Sequence, residues 1–223
     1  TREGAGICVG RPVPPNEIAI LRLCDEALQT FGADDLLPAG AIGEIMVHGP
    51  TTTDRYWQRR EQTRLAKTSD AQGRLWHRMG DAGYVDEQGR LWFCGRKSQR
   101  VRTAQGDLFA DQVEAIFNTL HDVERSALVG VGEPGEQVPV LCVELRRGAS
   151  GQPAVCRQAV EEAVMAKAAG HAALQCLAAV LFHPGFPVDI RHNSKINRQL
   201  LAVWAARQCA GGRLQQQAAV AAA

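Results

Sequence analysis

Through the first 95 residues, apolar positions come in short alternating runs separated by breakers, which predicts strands and turns. Glu17-Ile18-Ala19-Ile20-Leu21-Arg22-Leu23 is β-biased, and Pro12, Pro14 and Pro15 keep helix out of the stretch before it. Asp34 to Gly40 reads as a loop. Gly43-Glu44-Ile45-Met46-Val47-His48 then alternates like a strand closed by Gly49-Pro50. Arg55 to Thr68 is polar and breaker-free, which predicts a short surface helix. Two further β-runs flank the turn Asp86-Glu87-Gln88-Gly89. The sequence is read as containing no internal repeat.

Beyond Gly95 the pattern changes. Val113, Ile116, Phe117 and Leu120 recur at helical spacing, and Ser126–Val131 and Val138–Leu145 are β-rich. Pro153 to Ala169 predicts an alanine-rich helix with proline in its first turn, and Leu177 to Phe182 another strand. Ser194 to Cys209 predicts a helix with Ile196, Leu200, Val203 and Trp204 along one side. The expected fold is α+β: a β-rich, barrel-like subdomain over 1–95, a small α+β domain over 96–209, and a frayed tail over 210–223.

Composition narrows the function classes. The 223 residues carry 25 basic and 24 acidic side chains, a net charge of +1, and 45% are hydrophobic. That balance gives no reason to expect a nucleic-acid or membrane-surface binder, and no apolar run is long enough to span a bilayer. The seven cysteines form no Cys-x-x-Cys pair, so zinc-ribbon and dithiol chemistry are unsupported. They read as reduced core residues, which implies a cytoplasmic protein. Arg96, Lys97, Arg100 and Arg102 make a basic cluster suited either to solvent or to phosphate; without interleaved aromatics it does not suit RNA.

Three segments carry more specific information. One is Gly43-Glu44-Ile45 with Trp57 downstream. The second is Trp76-His77-Arg78-Met79-Gly80-Asp81, followed by Gly95-Arg96-Lys97-Ser98. The third is His192-Asn193-Ser194-Lys195-Ile196-Asn197-Arg198. In this order, from about Gly6 to Trp204, they resemble the adenylate-forming superfamily of acyl-CoA synthetases, luciferases and peptide-synthetase adenylation domains. Within it they are most similar to the olefin β-lactone synthetases of long-chain hydrocarbon biosynthesis. The resemblance implies the last β-rich part of a large AMP-binding domain followed by a mobile C-terminal domain. It also implies that the upstream phosphate loop, most of the acyl pocket and the Mg²⁺ ligand belong to a missing N-terminal region. This chain alone is therefore expected to be inactive.

The same resemblance assigns roles. Asp81 corresponds to the aspartate that receives both ribose hydroxyls of ATP; a carboxylate can accept two vicinal donors at once. Arg96 corresponds to an arginine that contacts ribose and phosphate, where a planar, permanently charged fork suits the task. Lys195 corresponds to the catalytic lysine that stabilises charge as a carboxylate attacks the α-phosphorus. Ser98 stands at the hinge between half-reactions. Met79 replaces the family's usual threonine, and Asp107 lies near the place where CoA-using relatives carry arginine. The implied reaction converts long-chain 2-alkyl-3-hydroxy acids to β-lactones with ATP and Mg²⁺. The alternatives are a long-chain fatty acid–CoA ligase or a non-catalytic nucleotide-binding remnant. The expected partners are the nucleotide, the acyl substrate and other hydrocarbon-biosynthesis enzymes.

Overall fold

The computed structural model describes residues 4–148, 155–189 and 192–213. The chain divides into two compact units, with the division between Ser98 and Gln99.

The first unit is built on β1 (Ile7–Gly10), β2 (Glu17–Leu21), β3 (Gly43–His48), α1 (Arg60–Ala66), β4 (Lys67–Ser69), β5 (Leu75–Val85) and β6 (Leu91–Arg96). Its sheet runs in the order β1-β6-β5-β3-β2, with β4 also paired to β5. The long strand β5 organises it. One edge of β5 is taken by β3; the other is shared, with β4 opposite Leu75–His77 and β6 opposite Asp81–Val85. The sheet therefore forks at residues 78–80, where neither partner is hydrogen-bonded. The expected barrel-like closure is absent: β1 and β2 lie at opposite ends of the strand order. Leu21, Phe31, Met46 and Trp76 make the apolar core of this unit.

Two glycines shape the fork. Gly80 has φ +68°, accessible to glycine at little cost, and lies where β5 carries extra residues opposite β3. At Gly83 a Cβ would come within 2.3 Å of the Trp92 carbonyl oxygen, so only glycine lets β5 and β6 approach this closely.

The turns that enter β5 and β6 are copies of each other, which corrects the reading that the sequence has no repeat. Asp70-Ala71-Gln72-Gly73-Arg74-Leu75-Trp76 and Asp86-Glu87-Gln88-Gly89-Arg90-Leu91-Trp92 share six of seven residues. In each turn one aspartate oxygen accepts two backbone N–H groups, and the other accepts from the arginine Nε and the indole N–H. Burial alone would raise both carboxyls. The indole, backbone and arginine hydrogen bonds and the arginine charge outweigh it and hold each at about 2.

The helix expected over Arg55–Thr68 is only α1, seven residues long and without a buried side chain. It stops because Lys67, Thr68 and Ser69 pair with β5 instead.

The second unit contains β7 (Val101–Thr103), β8 (Gly106–Leu108), α2 (Ala110–Phe117), β9 (Val123–Val131), β10 (Val138–Leu145), α3 (Arg157–Ala169), β11 (Ala179–Phe182), β12 (Val188–Asp189), β13 (His192–Ile196) and α4 (Arg198–Gln208). A three-stranded sheet, β11-β10-β9, is antiparallel on one side of β10 and parallel on the other. Leu128, Leu141, Val143 and Val180 face a core completed by α2 and α3. Ala127, Val129, Val140, Cys142 and Leu181 face the opposite one, completed by α4. Burial on both faces explains why β10 is almost continuously apolar.

Two expectations change here. The C-terminal helix does not begin at Ser194: His192–Ile196 form β13, paired with β12, and α4 starts at Arg198. Asn197 caps it, its side-chain oxygen accepting from the Leu200 N–H at 3.1 Å. The buried side of α4 is consequently Leu201 and Ala205, continued by Cys209, while Leu200 and Val203 are 58% and 52% exposed. Pro153 and residues 214–223 lie outside the described residues. Among the cysteines, Cys94, Cys142 and Cys209 are buried, but Cys8 and Cys156 are exposed, so the core reading holds for only part of the set. Burial pushes the Cys142 thiol up to about 12, which leaves it unreactive. No described helix is long and apolar enough to cross a membrane.

Candidate functional site

Asp81 and Arg96 stand opposite each other on β5 and β6, and Arg96 Nη1 lies 2.7 Å from Asp81 Oδ1. Facing residues on neighbouring strands project from the same side of a sheet, so the pair presents a carboxylate and a guanidinium together. The aspartate side chain is 17% exposed and the arginine 58%, so this is a cation reaching toward solvent beside a sheltered acid. Both sit immediately beyond the fork that Gly80 creates. A Cβ placed on Gly80 would meet nothing within 4 Å, so the backbone there borders open space.

That space is a cavity of about 650 Å³ within the first unit, bordered by Tyr56, Trp57, Leu65, Met79, Gly80 and Lys97 among others. Its lining includes a charge cluster that sequence reading missed. The buried carboxylate Oε2 of Glu44 accepts from Arg78 Nε at 3.0 Å, Arg78 Nη2 at 2.7 Å and Lys97 Nζ at 2.9 Å. Arg78 also donates to the backbone carbonyls of Cys24 and Glu26, and Lys97 to that of Cys24. The arginine and the glutamate of the recognised segments thus hold the fork in shape rather than reaching out of it. The available signal was an acid at the head of the apolar run Ile45-Met46-Val47: a charge in a strand core must find partners.

In the second unit Lys195 is exposed on β13, not at a helix start. Three residues on, Arg198 is held from two directions. Its guanidinium makes a two-point ion pair with Glu114 of α2, Nη1 to Oε1 and Nη2 to Oε2, and its Nε donates to Gln99 Oε1 at 3.1 Å. Glu114 Oε1 also accepts the Leu128 N–H at 2.8 Å. Burial pushes the Glu114 carboxyl up, against the opposing pull of Arg198. Arg198 too was overlooked in the sequence. Ser98 is exposed in a single helical turn, Lys97–Gln99, where the division between the units falls. Asp107, read as a bare acid, is instead paired with Arg100, Nε to Oδ2 at 2.8 Å across the base of the β7–β8 hairpin. Among the described residues, no group of three His, Cys, Asp or Glu side chains could hold a metal ion.

No protein-family model matches the chain. Its neighbours among solved structures are adenylate-forming enzymes. The amide bond synthetase McbA from Marinactinospora thermotolerans matches 88% of the chain with a TM-score of 0.66 and 26% identity, over 36% of its own length. ATP-bound MatB from Rhodopseudomonas palustris matches 89% with a TM-score of 0.67 at 22% identity, a likeness of fold. Homologues in sequence include olefin β-lactone synthetases: that of Stenotrophomonas maltophilia is 52% identical over 212 residues, and that of Xanthomonas campestris pv. campestris 53% over 215. Each match takes in 93% of this chain but only 38% of the relative, and it corresponds to a C-terminal portion of those enzymes.

Proposed function

We propose that this chain is the C-terminal part of an ATP-dependent, acyl-adenylate-forming enzyme that converts a 2-alkyl-3-hydroxy acid to a β-lactone. The observation that carries the proposal is the Asp81–Arg96 pair at the rim of the fork, a ribose-accepting carboxylate beside a phosphate-seeking guanidinium. The half-identical relatives named for β-lactone formation support it.

In the first half-reaction the substrate carboxylate attacks the α-phosphorus of ATP, the bond to the β-phosphate oxygen breaks, and pyrophosphate leaves. Asp81 accepts the two ribose hydroxyls and Arg96 faces the phosphate side. Lys195 supplies an ammonium whose attraction grows as charge builds on the phosphoryl oxygens. Mg²⁺ is assigned to residues outside this chain. In the second half-reaction the β-hydroxyl loses its proton and attacks the acyl carbonyl, and AMP departs. The nucleophile is tethered, so no second substrate need bind, which offsets part of the strain of a four-membered ring. Ser98 is proposed as the residue that absorbs the backbone change between the two steps.

A second reading, a long-chain fatty acid–CoA ligase, gains from the Arg100–Asp107 pair: a neutralised aspartate opposes a CoA phosphate less than a bare one would. Incubating the full-length enzyme with a 2-alkyl-3-hydroxy acid, ATP and Mg²⁺, with and without CoA, separates them. Lactone in both tubes by NMR supports the proposal; acyl-CoA as the main product, with lactone in neither, rejects it for the ligase.

A further inference from the structure

Lys195 projects from the last turn-free stretch before α4, and an exposed lysine on a two-strand ribbon has no rigidity of its own. β12 contributes only Val188 and Asp189 to that ribbon, so the ladder itself fixes little. What fixes the far end is Arg198. Its ion pair with Glu114 ties the first residue of α4 to α2, its Nε ties it to Gln99, and Glu114 in turn accepts a backbone N–H from β9. Between lysine and arginine, Asn197 N–H donates to Pro187 O at 2.7 Å, so the junction is pinned on both sides.

Resting on the reading of Lys195 above, we propose that Arg198 and Glu114 are positioning residues that set where the Lys195 ammonium stands during adenylation. Neither touches substrate. The two-point guanidinium–carboxylate contact fixes direction as well as distance, which an ammonium in place of Arg198 could not do. A partly buried, hydrogen-bonded pair on separate elements holds a catalytic strand better than surface charges would, and a displacement of about 1 Å can cost about 100-fold in rate.

The test uses the full-length enzyme and pyrophosphate release. Glu114→Gln and Arg198→Lys are each expected to lower adenylation kcat by about 100-fold, with the KM for ATP changed less than about threefold. In a Lys195→Ala background neither should lower the rate further, because a positioning residue has nothing left to position. Val164→Ala, a buried α3 change remote from β13, controls for lost stability and should leave kcat within about twofold. Amide exchange at Asn197 on this chain should quicken in Arg198→Lys without a matching change in the β10 amides. The proposal is overturned if both variants keep near-wild-type kcat while Lys195→Ala is crippled. It is equally overturned if Val164→Ala loses as much rate as they do, since the effect would then be general instability. Wild-type pyrophosphate release in Lys195→Ala would instead remove the assignment of the lysine and, with it, the proposal.

Discussion

Replacing Glu44 by alanine should cost the first unit a large part of its stability. The residue is 1% exposed, and its Oε2 is the common acceptor for two cations, Arg78 and Lys97. Arg78 is itself 3% exposed, and its Nε and Nη2 both point at the Glu44 carboxylate. Removing one partner of a buried pair leaves an uncompensated charge, which costs about 3–5 kcal/mol. Arg78 would retain its bonds to the Cys24 and Glu26 carbonyls, which argues for the lower end. Domains of about this size shift Tm by roughly 4–8 °C per kcal/mol, so a loss of about 3 kcal/mol is a fall of at least about 12 °C. Three of the four tryptophans, Trp57, Trp76 and Trp92, are in this unit. In a Trp204→Phe background, tryptophan emission on heating reports its unfolding, chiefly through Trp76. A double substitution, Glu44→Leu with Arg78→Met, should recover part of the loss, because a packed apolar pair can replace a buried ionic one. A Tm within about 3 °C of wild type in Glu44→Ala would refute the reasoning and mean that water or another acceptor reaches Arg78.

Acid should act through the duplicated turns. Asp70 and Asp86 are held at about 2 against ordinary values of 3.8, so the stability they add is complete above about pH 4 and is lost as pH falls through 2. Between pH 5 and 2.5 the Tm of the Asp70→Asn/Asp86→Asn variant should therefore fall less steeply than that of wild type; parallel curves would exclude this source. Gly83→Ala forces a Cβ to within 2.3 Å of a backbone oxygen and should cost about 1–3 kcal/mol, seen as a lower Tm for the same fluorescence transition. In the full-length enzyme, Asp81→Ala should weaken ATP binding by roughly 1.5–3 kcal/mol, about 10- to 100-fold by calorimetry. Unchanged affinity there would remove the ribose assignment.

Strands β2, β3 and β10 were legible because each is a short apolar run bounded by breakers or charges, a local signal that survives in the sequence. The C-terminal helix was misjudged for a related reason. Counting the helix from Ser194 puts Ile196, Leu200, Val203 and Trp204 in one stripe. Once Ile196 is spent on β13 and Asn197 caps the helix, the stripe becomes Leu201, Ala205 and Cys209. The repeated Asp-x-Gln-Gly-Arg-Leu-Trp turn stood in plain view, but its meaning lies in hydrogen bonds between side chain and backbone, which apolar patterning does not report. Glu44 with Arg78, and Glu114 with Arg198, are separated by 34 and 84 residues. Nothing local marks such pairs except a charge where the pattern calls for an apolar residue.

The Asp81–Arg96 pair shows how narrowly a legible motif depends on an illegible detail. Counted outward from the hairpin turn, Val85 faces Leu91, Tyr84 faces Trp92 and Gly83 faces Phe93. Continued without interruption, that register would set Asp81 against Gly95, and Arg96 would point to the other face of the sheet. A bulge intervenes: Ala82 faces Gly95, which leaves Cys94 as the extra residue on β6, buried, and carries Arg96 to a place opposite Asp81. Gly83, on the partner strand at the same point, is the residue whose missing side chain lets the distorted ladder close against Trp92. The spacing from Asp81 to Arg96 therefore encodes a bulge as well as a turn. One residue fewer between them would retain both chemistries and separate them by the thickness of the sheet.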